Sequence, residues 1–163
     1  MGVIILLMGV SGSGKTTVGS LLADTIGWKF YDGDDLHPAP NRDKMHQGIA
    51  LTDQDRIPWL RRVRQLIDRC ITRRIDAVVA CSALKQSYRE VLGTDRRDIS
   101  VIYLKGSPEL ISHRLAHRVG HFMPARLLPS QFQSLEAPPD AVTIDIGGTP
   151  EELVDVIRRE LEL

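Results

Sequence analysis

The chain opens on an apolar run, Val3–Met8, that feeds a glycine-rich loop, Gly9-Val10-Ser11-Gly12-Ser13-Gly14-Lys15-Thr16, and then a helical pattern. The loop fits GxxxxGK[ST] with a strand before it and a helix after it, which restricts the chain to folds where a buried strand delivers a loop to a helix N-terminus. Glycines there let successive backbone N–H groups converge on phosphate oxygens, and the helix end adds its positive pole. Lys15 supplies a point charge for the β- and γ-phosphates, and the Thr16 hydroxyl is a natural Mg²⁺ ligand. The expected nucleotide cradle therefore runs from Gly9 through Thr17.

The rest of the chain repeats the alternation. Val18, Leu22 and Ile26 recur at helical spacing, and Gly27 offers a C-terminal cap. Trp28–Tyr31 reads as a second strand ending at Asp32, and residues 35–51, with Pro38, Pro40 and Gly48, as an irregular or partly helical excursion. Thr52 with Asp55 resembles a capping box, and the apolar face running from Trp59 through Val63 and Ile67 to Ile71 predicts a long helix that Pro58 bends near its start. Ala77–Cys81, Ser100–Leu104 and Val142–Ile146 read as further strands. Ser107-Pro108 starts a helix, and Thr149-Pro150 opens a final one with Leu153, Ile157 and Leu161 on its buried face. Strands alternating with helices predict an α/β fold with a parallel sheet, and 163 residues hold one domain, residues 1–163.

Composition narrows the function classes. Apolar residues at 42% and charged residues at 26% suit a globular core and exclude disorder or a disulfide scaffold. Lys plus Arg equal Asp plus Glu at 21 each, so the net charge is zero, and neither nucleic acid nor an anionic membrane is an expected partner. Cys70 and Cys81 lack CxxC spacing and read as reduced core thiols. The first ten residues have no basic region and no cleavage site, so a cytoplasmic location is expected.

A nucleotide cradle does not say what becomes of the phosphate. No guanine-reading NKxD is present, and the third strand ends in Cys81-Ser82 rather than in the acid of a motor ATPase. A small-molecule kinase remains. Asp32-Gly33-Asp34 closes the second strand, and alternation along a strand puts both carboxylates on one side, beside the loop. An anionic phosphate acceptor would be repelled there, whereas an alcohol gains a group that orients it and takes its proton. Asp34 is expected to face that hydroxyl and Asp32 to face Mg²⁺, directly or through water. The alternative is a solvated Asx turn.

Candidate acceptor ligands are His37, Asn41, Arg56, Lys85 and Arg89. Arg114 and Arg118 share a helix face ahead of Gly120, the arrangement of a lid (about residues 114–130) that brings cations to the transferring phosphate, or else of a solvated helix face. His113, His117 and His121 have the i, i+4 spacing of a zinc face but no acidic or Cys partner.

The segments LLMGVSGSGKTT, YDGDDLHPAPNRDKM, LTDQDRIPWL, CSALKQSYR, IYLKG and GHFMPARLLPSQFQSLEAP together resemble the gluconate kinase family, among the shikimate-kinase-like P-loop enzymes. The resemblance spans residues 6–138. It implies transfer of the ATP γ-phosphate to D-gluconate, a Mg²⁺ requirement, a five-stranded parallel sheet with a mobile lid, and a homodimer. It also implies that Asp34 lies beside the acceptor hydroxyl and Asp32 near magnesium, that Arg114 packs on adenine, and that Arg118 joins Lys15 and Asp34 in the catalytic set. Gln131 stands near where shikimate kinases place an arginine on the acceptor carboxylate. A shikimate or other small-alcohol kinase, and a nucleotide-binding module without transfer activity, are the competing readings.

Overall fold

The computed structural model describes residues 1–117 and 125–163. Strand β1 (Ile4–Met8) is buried along its whole length, because it lies between two other strands and under helices on both faces. Its neighbours are β3 (Ala77–Ala80) and β4 (Ile99–Lys105), while β2 (Lys29–Asp32) and β5 (Val142–Asp145) form the edges. The order β2-β3-β1-β4-β5 is parallel throughout, with Ile4 in register with Ala77 on one side and Ile99 on the other. The connection from β1 runs to β2 on one side of the sheet and that from β3 crosses past β1 to β4 on the other, so the winding changes direction at β1, where the glycine-rich loop emerges. Ligands of such sheets bind there, beyond the strand C-termini.

The alternation of β1 divides the core in two. Ile5 and Leu7 face α1 (Lys15–Ile26), α5 (Pro108–Ala116) and α7 (Pro150–Glu160), whose Leu22, Ile111 and Ile157 are fully buried. Ile4, Leu6 and Met8 face α3 (Asp53–Thr72) and α4 (Gln86–Leu92) through Trp59, Val63, Ile67 and Leu92. Sheet-facing residues on both sides make β1 the stiff support on which the loop stands.

Most of the expected elements form, with shifts at their ends. The expected capping box at Thr52/Asp55 is present, the final helix opens on another at Thr149/Glu152, and Gly27 ends α1 at φ 74°. Trp28 belongs to that cap, donating its N–H to Ala23, so β2 starts one residue later than the apolar pattern suggests. Pro58 lies within α3, which continues through it, since a proline early in a helix removes a single backbone bond. The excursion at 35–51 contains a helix, α2 (Ala39–His46), behind a 3-10 turn at Gly33–Leu36. A last short helix, α6 (Leu128–Ser134), leads toward β5.

Both cysteines are free and buried. His113 and His117 have ring centroids 4.4 Å apart, His121 lies outside the described residues, and among the described residues no group of three or more His, Cys, Asp or Glu could hold a metal. No helix among them is long and apolar enough to cross a membrane.

Candidate active site

The loop curls so that Gly12 (φ 82°) and Gly14 (φ 97°) both take left-handed backbone, and Gly14 is the N-cap of α1. At Gly12 a Cβ would also come within 2.9 Å of Leu115, so the loop's tight seat on α5 requires glycine twice over. Lys15 folds back across the loop, its Nζ donating to the carbonyls of Gly9 (2.9 Å) and Val10 (3.0 Å). The ammonium thus lies over the concavity toward which the loop's N–H groups converge.

Facing it is the acid pair, and its geometry departs from the expected strand alternation. Only Asp32 is in β2; Asp34 is in the 3-10 turn that follows. Asp32 works on both sides of this junction. Its Oδ1 accepts the Asp34 N–H (3.0 Å), capping the turn, while its Oδ2 accepts from the Thr16 hydroxyl (2.7 Å). The Asx turn and the functional pair are therefore one arrangement rather than alternatives. Gly33 is pinned between strands and helix: a Cβ would meet the Ala80 carbonyl at 2.6 Å, and its own carbonyl accepts the Trp59 indole N–H at 2.8 Å. These bonds fix where Asp34 points.

Asp34 keeps some surface open to the cleft while its carboxyl group sits deep among protein atoms. Burial raises its pKa above the ordinary carboxylate range, Lys15 opposes the shift, and Asp32 and Asp35 reinforce it. A raised pKa makes a carboxylate a better proton acceptor once ionised. Next to it, His37 stacks on Trp59 with centroids 4.1 Å apart. Burial, helped by the charges of Arg56 and Arg42, pushes its pKa down to about 3, so the ring is neutral at physiological pH. The Asn41 amide donates to the Asp55 carbonyl (2.9 Å) and lies 3.2 Å from His37 Nδ1, which makes Nδ1 the acceptor and puts the ring proton on Nε2.

These groups line a cleft of about 410 Å³ that Lys15, Thr16, Asp32 and Asp34 share with Arg42 and Arg56. A second cavity of about 370 Å³ opens on the other flank of the loop, bounded by Gly12, Thr17, His113, Arg114, Pro150 and Leu153. Arg114 is held there by the Ile146 carbonyl (2.7 Å). The two cavities meet at the loop, so a molecule lying across it reaches both. Thr16 Oγ1 and Asp32 Oδ2 are hard oxygen donors, one of them anionic, and this set fits magnesium, which takes few protein ligands and completes its shell with phosphate and water.

The other expected ligands divide. Arg56 is in the cleft wall, its Nη1 donating to the Leu51 carbonyl (2.7 Å) and to the Tyr88 hydroxyl (3.1 Å). Lys85 is not; it pairs with Asp53 at 3.0 Å. Arg89, expected to contact the acceptor, is buried at 3% exposure and lies outside the cleft. Its guanidinium donates to the carbonyls of Ala83 (2.7 Å), Leu84 (3.1 Å) and Glu136 (2.9 Å), clamping the strand β3 exit to the segment after α6. Away from the cleft lining, this guanidinium holds backbone segments together rather than facing the acceptor space. Arg118 lies outside the described residues. Sequence reasoning missed Arg42, because α2 reads as irregular, although its place in YDGDDLHPAPNRDKM was a usable signal. Gln131 makes an unforeseen contact: its Oε1 accepts the loop's Ser11 N–H at 2.6 Å.

A shikimate kinase family model matches residues 11–129. The chain is 48% identical to a probable gluconokinase of Rattus norvegicus, over 83% of this chain and 83% of the relative. Two crystal structures superpose closely. A sugar kinase from Janibacter sp. HTCC2649 has a TM-score of 0.91 at 40% identity, and a gluconokinase from Sinorhizobium meliloti 1021 has 0.81 at 39%, each match covering 99% of this chain and 95% of the other. With the cradle, acid pair and cleft in these positions, the chain belongs to the gluconokinase family, among the P-loop kinases of shikimate kinase type.

Proposed function

We propose that the protein transfers the γ-phosphate of ATP to the 6-hydroxyl of D-gluconate, giving 6-phosphogluconate. The observation that carries this reading is the deeply set Asp34 carboxyl, in a cleft that it lines together with Lys15, the metal-suited Thr16 and Asp32, and two arginines. An alcohol lodged there has a carboxylate to orient it and receive its proton, and it faces the end of a triphosphate lying in the loop.

Each residue has a physical task. The loop amides and Lys15 hold the phosphates, with Lys15 exchanging the Gly9 and Val10 carbonyls for phosphate oxygens. Thr16 and Asp32 would hold Mg²⁺, which when bound neutralises charge on the β- and γ-phosphates. Arg56 and Arg42 supply cations for the acceptor's carboxylate, and neutral His37 offers a hydroxyl partner without adding a third charge. The cavity beside Arg114 suits the adenine ring. By the family resemblance, Arg118 and a lid over residues 114–130 close on the phosphates, and the enzyme is a cytoplasmic homodimer. Catalysis is mainly positioning and charge stabilisation.

An ADP-release assay across a panel of acceptors tests the proposal. Turnover is expected with gluconate and not with shikimate; the reverse ranking overturns the acceptor, and ATP binding without acceptor-dependent ADP overturns the transfer.

A further inference from the structure

Arg56 reaches the cleft as the end of an ordered series of hydrogen bonds. Its Nη1 carries two hydrogens, and both have fixed acceptors, the Leu51 carbonyl at 2.7 Å and the Tyr88 hydroxyl at 3.1 Å. Tyr88 in turn donates to Asp53 Oδ1 at 2.5 Å, and the other end of the array is Lys85, whose Nζ donates to Asp53 at 3.0 and 3.3 Å. The direction of every bond is forced. Guanidinium and ammonium only donate, a carboxylate only accepts, and between Arg56 and Asp53 the hydroxyl is the one group that does both. Its ring packs in the second core cluster at 4% exposure, with the Arg56 guanidinium carbon 5.5 Å and the Lys85 ammonium 5.6 Å from its centroid.

Because a guanidinium is planar, fixing both hydrogens of Nη1 fixes the plane of the whole group. Nε and Nη2 then have no protein acceptor among the described residues, and they belong to a side chain that lines the cleft. A planar, pre-aimed pair of donors is the partner of a carboxylate. We propose that Tyr88, supported by Asp53 and Lys85, is the positioning residue that sets Arg56 for an anionic acceptor, so that acceptor selectivity rests partly on a hydroxyl that never touches the substrate. The inference depends on the reading that the acceptor is gluconate. It also gives Lys85 and Tyr88 of CSALKQSYR a shared purpose that direct ligation by Lys85 does not.

Steady-state kinetics of Tyr88→Phe, with ATP and gluconate varied separately, is the test. The expected result is a rise of about five- to tenfold in KM for gluconate, with KM for ATP unchanged and melting temperature close to wild type. The double variant Arg56→Lys/Tyr88→Phe should be no worse than Arg56→Lys alone, since both remove one aimed donor pair. An unchanged gluconate KM, an equal rise in both KM values, or full additivity with Arg56→Lys overturns the inference. Should Tyr88→Phe not fold, Asp53→Asn at the 63%-exposed end of the array decides. A twofold to threefold rise in gluconate KM alone is expected, and no rise overturns the role. Absence of gluconate turnover in the wild-type enzyme instead overturns the proposed function, and this inference with it.

Discussion

The two halves of the cleft are built by different means. The nucleotide half is backbone: consecutive residues from Gly9 to Thr16, seated between β1 and α1, expose N–H groups, and only Lys15 and Thr16 contribute functional side chains. The acceptor half is side chains drawn from scattered places, among them the 3-10 turn, α2, α3, the segment before α3, the β3 exit and α6. A backbone site is written in one contiguous motif and tolerates variation around it. A side-chain site depends on which distant residues the fold brings together, and on bonds that hold them still. The first half therefore defines a class of enzyme, and the second defines which acceptor it uses.

The sharpest way to break that comparison is Asp34→Asn. An amide keeps the shape but cannot take a proton, so kcat should fall by roughly 10²–10⁴-fold, while ATP binding in the backbone half stays near wild type. Stopped or steady-state ADP release measures the first and nucleotide titration the second. Near-normal kcat would mean that the acid pair serves the nucleotide half instead.

Arg89 tests where the acceptor half ends. Arg89→Met takes the guanidinium donor from the Ala83 and Glu136 carbonyls, while Leu84 keeps the Glu136 N–H, at a cost of about 1–3 kcal/mol for each carbonyl left buried and unpaired. Denaturant titration should register the loss, and the gluconate KM of the folded fraction should not change. A large KM effect with little loss of stability would return Arg89 to the ligand set.

His37 gives a pH-dependent test. Its folded pKa of about 3 lies below the ordinary 6.5, so between those values the unfolded chain binds a proton that the native chain refuses. Stability then falls as pH drops through that window, by at most about 1.4 kcal/mol per pH unit. The paired carboxylates act in the same direction but lower: Asp55, held down to about 2 by Lys44 and Thr52, loses its contribution only as pH falls below the ordinary carboxylate value toward 2. Chemical denaturation at pH 6.5, 5.5 and 4.5 should show the slope in wild type and a flatter profile in His37→Gln. Equal slopes would indicate that the native ring is protonated.

What the sequence disclosed follows the same division. The strands and the capping boxes are local patterns, and they appear within a residue or so of where the periodicity puts them. Asp32 and Asp34 were found by spacing, yet strand alternation was the wrong reason, because Asp32 ends the strand and caps a 3-10 turn. Arg56, expected from its place at a helix start, lines the cleft, whereas Arg89, expected from its place after the third strand, lies outside that lining with its guanidinium on backbone carbonyls. Both arginines follow apolar or polar neighbours that look alike in sequence. Only the carbonyl acceptors of Arg89, one of them 47 residues away at Glu136, separate a clamp from a ligand.

The smallest expected effect is at Gln131, where the two halves touch. Its carboxamide oxygen occupies the Ser11 N–H at 2.6 Å, one of the donors the loop presents to phosphate. A phosphate oxygen carries more charge than an amide oxygen, so nucleotide should displace it at modest expense. Gln131→Ala removes the competitor and should lower KM for ATP by no more than about fivefold, since a single neutral hydrogen bond is worth about 1 kcal/mol net. Gln131→Glu puts a full negative charge at the same point and should raise that KM, both by holding Ser11 more tightly and by repelling the incoming phosphate. Measured at saturating gluconate, opposite signs for the two variants would identify Gln131 as an occupant that yields to ATP. A rise in KM for Ala as well would make it a nucleotide ligand and move it from the acceptor half into the nucleotide half.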